Sequence, residues 1–144
     1  MAEKKGKGVM YCQSQIEKIL SEYKKWYFIN YPLCGLCGHI VRGEGDLAHI
    51  VRRSYSIELQ TMKLNTFLSH RVCHDLYDNS PAQAVYLPRI IEILYIAYLL
   101  DSDYFNLIAG HFEELAHVLQ LFPTVEYRNI EHHGQILQLN YLYQ

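Results

Sequence analysis

The stretch CGLCGHIVRGEGDLAHIVRRSYSIELQTMKLNTFLSHRVCHDLYD, Cys34 to Asp78, decides how the chain is read. It opens with the pair Cys34 and Cys37 and closes with the pair His70 and Cys73, each with two residues between its members. That spacing lets a tight turn aim both side chains of a pair at one tetrahedral ion, and four protein ligands close the shell, the mark of a structural Zn2+ site. His74 is an alternative fourth ligand, because positions 70 and 74 share a helix face. Thiolate softness selects Cys73 instead. His39, just after the first pair, is read as a strand residue, and Cys12 as a spare thiol.

Between and just beyond the pairs, His49 is followed after sixteen positions by Asn65, and Asn65 after nine by His74. This order and spacing resembles the HNH family of metal-dependent endonucleases, the ββα-metal or His-Me finger group. In that family a β-hairpin and a helix form one small site, often pinned by zinc between paired knuckles. The usual pattern runs CxxC, a DHI-like strand, an Asn, then CxxCH. Here His70 replaces one Cys, and Ala48 rather than an acid precedes the central His. The run AHIVRRS is also similar to phage recombination nucleases of the NinG type, in which a small residue precedes the His. The resemblance spans about a third of the chain. It lies in the combination, since each short motif alone is weak.

The resemblance implies DNA cleavage to 5′-phosphate and 3′-hydroxyl ends with Mg2+ or Mn2+. His49 becomes the general base, suited by an imidazole pKa of about 6.5 to activating water near neutrality. By the same resemblance Asn65 fixes the loop that orients His49, although an Asn by itself reads as an ordinary turn residue. His74 binds the catalytic metal. Asp78, four residues later on the same helix face, is a second candidate ligand. Asp46 ranks below it, because residues three apart on a strand point to opposite faces and Asp46 would need the turn to redirect it toward His49. Arg52 and Arg53 follow the base, and one of them is placed to clamp phosphate through its planar fork, against the plainer reading of two solvated arginines.

Composition sets the frame. A chain of 144 residues, half of them hydrophobic, suits a single domain with its own core. No secretory leader pattern opens the sequence, so the thiols are expected reduced and the location cytoplasmic, in a host cytoplasm if the chain is phage-encoded. The net charge of -2 excludes a protein that coats DNA along its whole surface. Distribution matters more: residues 1–89 hold twelve of the thirteen Lys and Arg but eight of the fifteen acids. A positive field therefore lies over the motif-bearing half, and the acidic half faces elsewhere.

The elements follow in order. Residues 1–13 form a basic tail. Residues 14–80 carry a helix from about Gln15 to Ile29, capped by an S-x-x-E box of Ser14 and Glu17, and then the zinc-stabilised core. HIVR and DLAHIV, separated by GEG, predict the hairpin, with His49 on its second strand. An irregular helix is expected between Tyr55 and Met62, and a regular one from Arg71 to Asp78, stopped by Asn79, Ser80 and Pro81. Residues 81–144 read as a helical extension. RIIEILYIAYLL is apolar on nearly every face, but too short and too interrupted by Glu92 for a membrane span. Deep burial or a homodimer interface accounts for it. Phe105, Ile108, Phe112, Leu115, Ala116 and Leu119 form one stripe of a helix expected over 103–122, and after Pro123 either a helix broken near Gly134 or a helix and a strand follows. The four remaining histidines, His111, His117, His132 and His133, lack Cys or acid partners and are read as surface or core residues. Thirteen tyrosines spread along the chain without an RNA-binding signature, which assigns them to packing.

The expected fold is therefore α+β and mostly helical, a ββα-metal core with zinc knuckles flanked by an N-terminal helix and a C-terminal helical region. DNA is the expected partner. The competing functions are a catalytically silent zinc module that binds nucleic acid or protein, and an interaction module whose acidic helical half is the active surface.

Overall fold

A computed structural model describes residues 11–125 and 130–135. The basic tail, except for its last three positions, and most of the segment after Pro123 lie outside these residues. The first helix, α1 (Gln13–Asn30), starts earlier than the sequence suggested. Cys12 is its N-cap, and the Cys12 N–H donates to Gln15 Oε1 at 2.9 Å. Ser14 consequently lies inside the first turn rather than ahead of it. Ile16, Leu20 and Tyr27 form the buried stripe. Two tyrosines on this face bolt the helix to the core: Tyr23 donates to the Thr61 carbonyl at 2.6 Å and Tyr27 to the Thr66 carbonyl at 2.9 Å.

The sheet is the main departure from expectation. Strand β1 (Asp46–His49) pairs antiparallel not with HIVR but with β2 (Thr66–Ser69), setting Ala48 opposite Phe67 and His49 opposite Thr66. Near HIVR only a single bridge forms, between Leu33 and Ile40. The backbone there is committed elsewhere. Cys34 N–H donates to the His39 carbonyl at 2.8 Å, and the Ile40 carbonyl accepts from the His70 ring at 3.1 Å. Those groups serve the cysteine loop and are not free for a ladder. TFLS can replace them because all four of its residues are buried, a pattern expected of a strand covered on both faces.

Helix α2 (Arg71–Asn79) leaves β2 after one residue, giving the order strand, strand, helix. Tyr77 on α2 donates to the Ile50 carbonyl at 2.8 Å, fixing the helix against the exit of β1. A short turn of helix, α3 (Pro81–Ala84), begins with proline where a missing N–H costs nothing. Helix α4 (Ile90–Leu100) then runs through the centre, with Ile90, Ile91, Ile93, Leu94, Ile96 and Ala97 fully covered. The protomer itself buries this apolar helix. Glu92 is buried there too, bonded to Arg89 Nε at 2.7 Å. Burial pushes its carboxyl up to about 7, with Arg89 pulling the other way. Among the described residues, no helix is long and apolar enough to cross a membrane.

The expected helix over 103–122 is broken. Asp101 caps α5 (Ser102–Ala109) by accepting the Tyr104 N–H at 3.0 Å. A tighter 3₁₀ segment, Gly110–Leu115, contains Phe112 at φ −118, ψ 49, outside helical geometry, and α6 (Ala116–Leu119) follows. The kink shifts the phase of the stripe, so Ala116 is exposed and Val118 buried in its place. Phe67 sits at the junction of these layers, fully buried against Tyr77, and a Cβ at Gly35 would meet its ring at 2.8 Å. Phe67→Ala should therefore destabilise the protein by about 3–5 kcal/mol in urea unfolding, and Gly35→Ala should also lower the midpoint because the ring has no room to yield.

Candidate functional site

Cys34, Cys37, His70 and Cys73 come together as the sequence spacing suggested. Their ligand atoms all lie within 4.8 Å of one another, and the group can hold a metal ion such as zinc. Cys37 Sγ is 3.4 Å and Cys73 Sγ 3.9 Å from His70 Nδ1. The amides of Leu36 and Cys37 both donate to Cys34 Sγ at 3.4 Å, a turn that presents the sulfur and stabilises negative charge on it. Burial raises the Cys34 thiol, but these amides and His70 outweigh it and the net shift is downward. Cys73 is pushed well up, first by burial and then by Cys34 and Cys37. Three thiols so placed ionise together readily only beside a cation. The His70 ring is oriented for the role: Nε2–H donates to the Ile40 carbonyl at 3.1 Å, which turns Nδ1 toward the sulfurs. His74 is not in this group, nor is His39, which is exposed.

His49 ends β1. Its Nε2–H donates to the Gln60 carbonyl at 2.9 Å, so Nδ1 carries the free lone pair. Burial lowers the pKa of the ring, opposed by the Gln60 carbonyl and reinforced by the charges of Arg53 and His74. The imidazole is thus held neutral. Asn65, completely buried, fixes this arrangement through its side-chain amide. Its Oδ1 accepts the Val51 N–H at 2.7 Å, and its Nδ2 donates to the Val51 carbonyl at 3.1 Å and the Leu59 carbonyl at 3.0 Å. One side chain therefore clamps the segment leaving His49 to the segment that carries the Gln60 carbonyl.

His74, on α2, lies between two carboxylates. Nδ1 is 3.0 Å from Asp46 Oδ2 and Nε2 is 3.0 Å from Asp78 Oδ2. The hydrogen bond to Asp78 raises its pKa to about 9, against burial and with Asp46 adding to the effect. Burial raises Asp46, but His74 and Arg71 outweigh it and hold the carboxyl below its ordinary value. Strand alternation had ranked Asp46 below Asp78, yet the two stand at equal distance from the ring. Asp46 is the first residue of β1, opposite Ser69 and so beside the start of α2, and it is the helix rather than the strand that brings His74 to it. Ala48, by contrast, is fully buried.

Two open clefts of 340 and 560 Å3 share Leu47, His49, Arg53 and His74 as a common wall. Both arginines reach the smaller one. They lie in a turn, not on an extended segment: the Arg52 carbonyl accepts the Tyr55 N–H at 2.9 Å. Arg52 donates to the Asp78 carbonyl, whereas Arg53 bonds Gln60 Oε1 at 3.2 Å and pairs with Glu17 at 3.4 Å. Gln60 and Arg71 are the participants that the sequence did not reveal. Gln60 acts partly through a backbone carbonyl, which leaves no residue-type signal, and Arg71 reaches Asp46 at 3.2 Å from a position read only as a helix start. No protein-family model, curated protein or solved structure matches the chain, so the functional reading rests on this geometry.

The four-ligand group is expected to carry one zinc per chain. Elemental analysis should find it in purified protein, and Cys34→Ser and Cys73→Ser should each lose metal and lower the melting temperature, because binding free energy at such a group is folding free energy. Zinc-free wild type with an unchanged melting temperature would refute the assignment.

Proposed function

We propose that the protein is a zinc-stabilised endonuclease of the HNH type that hydrolyses DNA phosphodiester bonds. One observation carries the reading: a neutral imidazole with a free Nδ1, His49, stands with His74 and Arg53 in the wall common to two clefts, one lined also by Arg52 and Asp78 and the other by Asp46, on elements in the order strand, strand, helix. Phosphodiester hydrolysis needs a base for water, positive charge near the phosphoryl oxygens and help for the departing oxygen. His49 Nδ1 takes the proton from water, and the Gln60 carbonyl steadies the imidazolium that results through the Nε2–H bond. Arg52 and Arg53 hold the phosphate by charge and hydrogen bonding. Asn65 positions the base without touching substrate.

His74 offers an imidazole with one carboxylate at each ring nitrogen, Asp78 at Nε2 and Asp46 at Nδ1, so one Mg2+ or Mn2+ ion would be held by His74 and one of the two, with Asp78 ranked first. Such an ion would supply charge to the phosphoryl oxygens and to the leaving 3′ oxygen. To bind it, His74 gives up the proton that the carboxylates hold on the ring, so metal and proton compete there. The thiol ligands suit a reducing compartment, the cytoplasm. Zinc at Cys34, Cys37, His70 and Cys73 would act away from the chemistry, pinning α2 to the cysteine loop.

The second reading, a catalytically silent zinc module, draws on two observations. Ala48 is buried where the family pattern carries an acid, and both ring nitrogens of His74 are engaged by carboxylates. A cleavage assay over plasmid, single-stranded and branched DNA with Mg2+, Mn2+, Ni2+ or Zn2+ separates the two. Wild type should cut, His49→Ala should lose cleavage with zinc content intact, and His74→Ala should lose it in a manner partly restored by excess Mn2+. No cleavage by wild type with any ion would leave the silent module standing.

The pH dependence follows from the direction of the His49 shift. A histidine whose pKa is lowered stays in its basic form down through its ordinary value, so the acid limb of kcat/KM set by His49 should fall below pH 6.5. Measured at saturating Mn2+, where the proton on His74 no longer competes with the ion, an acid limb above that value would assign the base elsewhere. DNA affinity of the Arg52→Ala, Arg53→Ala double variant should drop, with a salt slope shallower by about one for each lost phosphate contact. An unchanged slope would mark these arginines as bystanders.

A further inference from the structure

A third recess, of 220 Å3, opens beside the cleft and shares Arg52 and Asp78 with it. The walls are of two kinds. Tyr104, Ile108 and Phe112 supply an aromatic and apolar floor, and His111, Asp78 and Arg52 supply polar groups at its margin. Tyr104 is buried, and its ring lies 4.8 Å from that of Tyr55, which is exposed and carries the aromatic surface outward. Apolar walls with a few polar groups are the usual composition of a site for a small planar ligand.

Charge decides which ligand. Asp78 lines the recess, and Asp101, whose carboxylate accepts the Tyr104 N–H at 3.0 Å, lies just behind its Tyr104 wall. Arg52 is the one Lys or Arg in the lining of the recess and these acids offset it, whereas the cleft adds Arg53, so a phosphate is favoured in the cleft over the recess. A neutral heterocycle has no such preference, and its amino and ring nitrogens would find Asp78 and His111 as partners. Phosphate instead belongs with Arg52, which stands between recess and cleft and donates to the Asp78 carbonyl.

We propose that this recess takes a single unpaired nucleobase from the strand being cut, next to the phosphate held in the His49 cleft. The inference rests on the nuclease reading and adds its substrate class. A base inside a duplex is stacked and paired, and it reaches a recess only when it is out of the helix. The enzyme therefore acts on single strands, flaps or junctions in preference to intact duplex, and the aromatic floor makes it tolerant of sequence, since every base has a π-face.

The test uses wild-type protein with Mn2+ and a set of end-labelled 20-nucleotide single strands, each carrying one abasic site, beside the matching duplex. The expected result is preferred cleavage of the single strand and one position near the cut at which loss of the base lowers kcat/KM by about tenfold or more. Ile108→Trp, which fills the recess, should bring the intact strand down to the level of that abasic strand and leave the abasic strand itself unaffected. Should Ile108→Trp fail to fold, as judged by zinc content and melting temperature, the exposed His111→Ala serves, and it should reduce the same ratio. Equal cutting of duplex and single strand with no sensitive abasic position would overturn the recess assignment and leave the nuclease reading intact. Absence of cleavage on every substrate would overturn the nuclease reading and the recess assignment together.

Discussion

The structure depends on holding three sulfurs and an imidazole within 4.8 Å of one another. These ligands come from two places far apart in the sequence, the turn at Cys34–Cys37 and the junction of β2 with α2. Without a cation Cys73 stays a neutral thiol, because burial and the neighbouring Cys34 and Cys37 disfavour its thiolate. With one, the same groups become a crosslink. Structural zinc binding is worth on the order of 10 kcal/mol in small domains, comparable to the entire net stability of a protein this size. The consequence for the cleft is direct. His70 and Cys73 bracket the first turn of α2, and His74 is the next residue, so whatever fixes the ligand group also fixes the height and rotation of the helix that faces Asp46.

A second constraint, the buried amide of Asn65, sets the other side of the cleft. Its three hydrogen bonds join Val51 to Leu59 across a loop that otherwise has only short 3₁₀ turns to shape it. Losing that side chain would strand the buried Val51 N–H, which costs about 1–3 kcal/mol. It would also release the Gln60 carbonyl that fixes the His49 tautomer. Stability and chemistry are linked at this residue in a way they are not at Arg52 or Arg53, whose side chains lie at the surface.

The sequence made the ligand group legible because its information is local: two residues between partners is a statement about one turn. The helix from Arg71 was legible for the same reason, with Ser80 and Pro81 ending it. Strand pairing is not local. HIVR and TFLS both set two apolar residues between two polar ones, and choosing between them required knowing that the Ile40 carbonyl and the Cys34 amide are already spoken for by the ligand loop. Asp46 was undervalued by an alternation rule that compares residues along one strand, whereas its partner comes from a helix. The break at Phe112 had a trace in Gly110, a weak helix former, but the stripe of apolar residues on either side concealed it.

The buried pair Arg89 and Glu92 shows how the acidic, helical half supports the ligand loop. The Arg89 N–H donates to the Leu36 carbonyl at 2.8 Å, between the two cysteines of the first pair, while its side chain bonds Glu92 on α4. A Cβ at Gly38, which has φ +82, would meet the Arg89 side chain at 3.0 Å. Glycine at this position therefore serves two needs at once, a positive φ after the turn and close approach of the Arg89 side-chain methylenes. An ion pair in such a place is a poor source of net stability, because desolvation offsets much of its attraction. Its value lies in direction. It holds the Arg89 side chain along α4 and against Gly38, while the Arg89 main-chain N–H on the Leu36 carbonyl ties the start of the apolar helix to the cysteine loop.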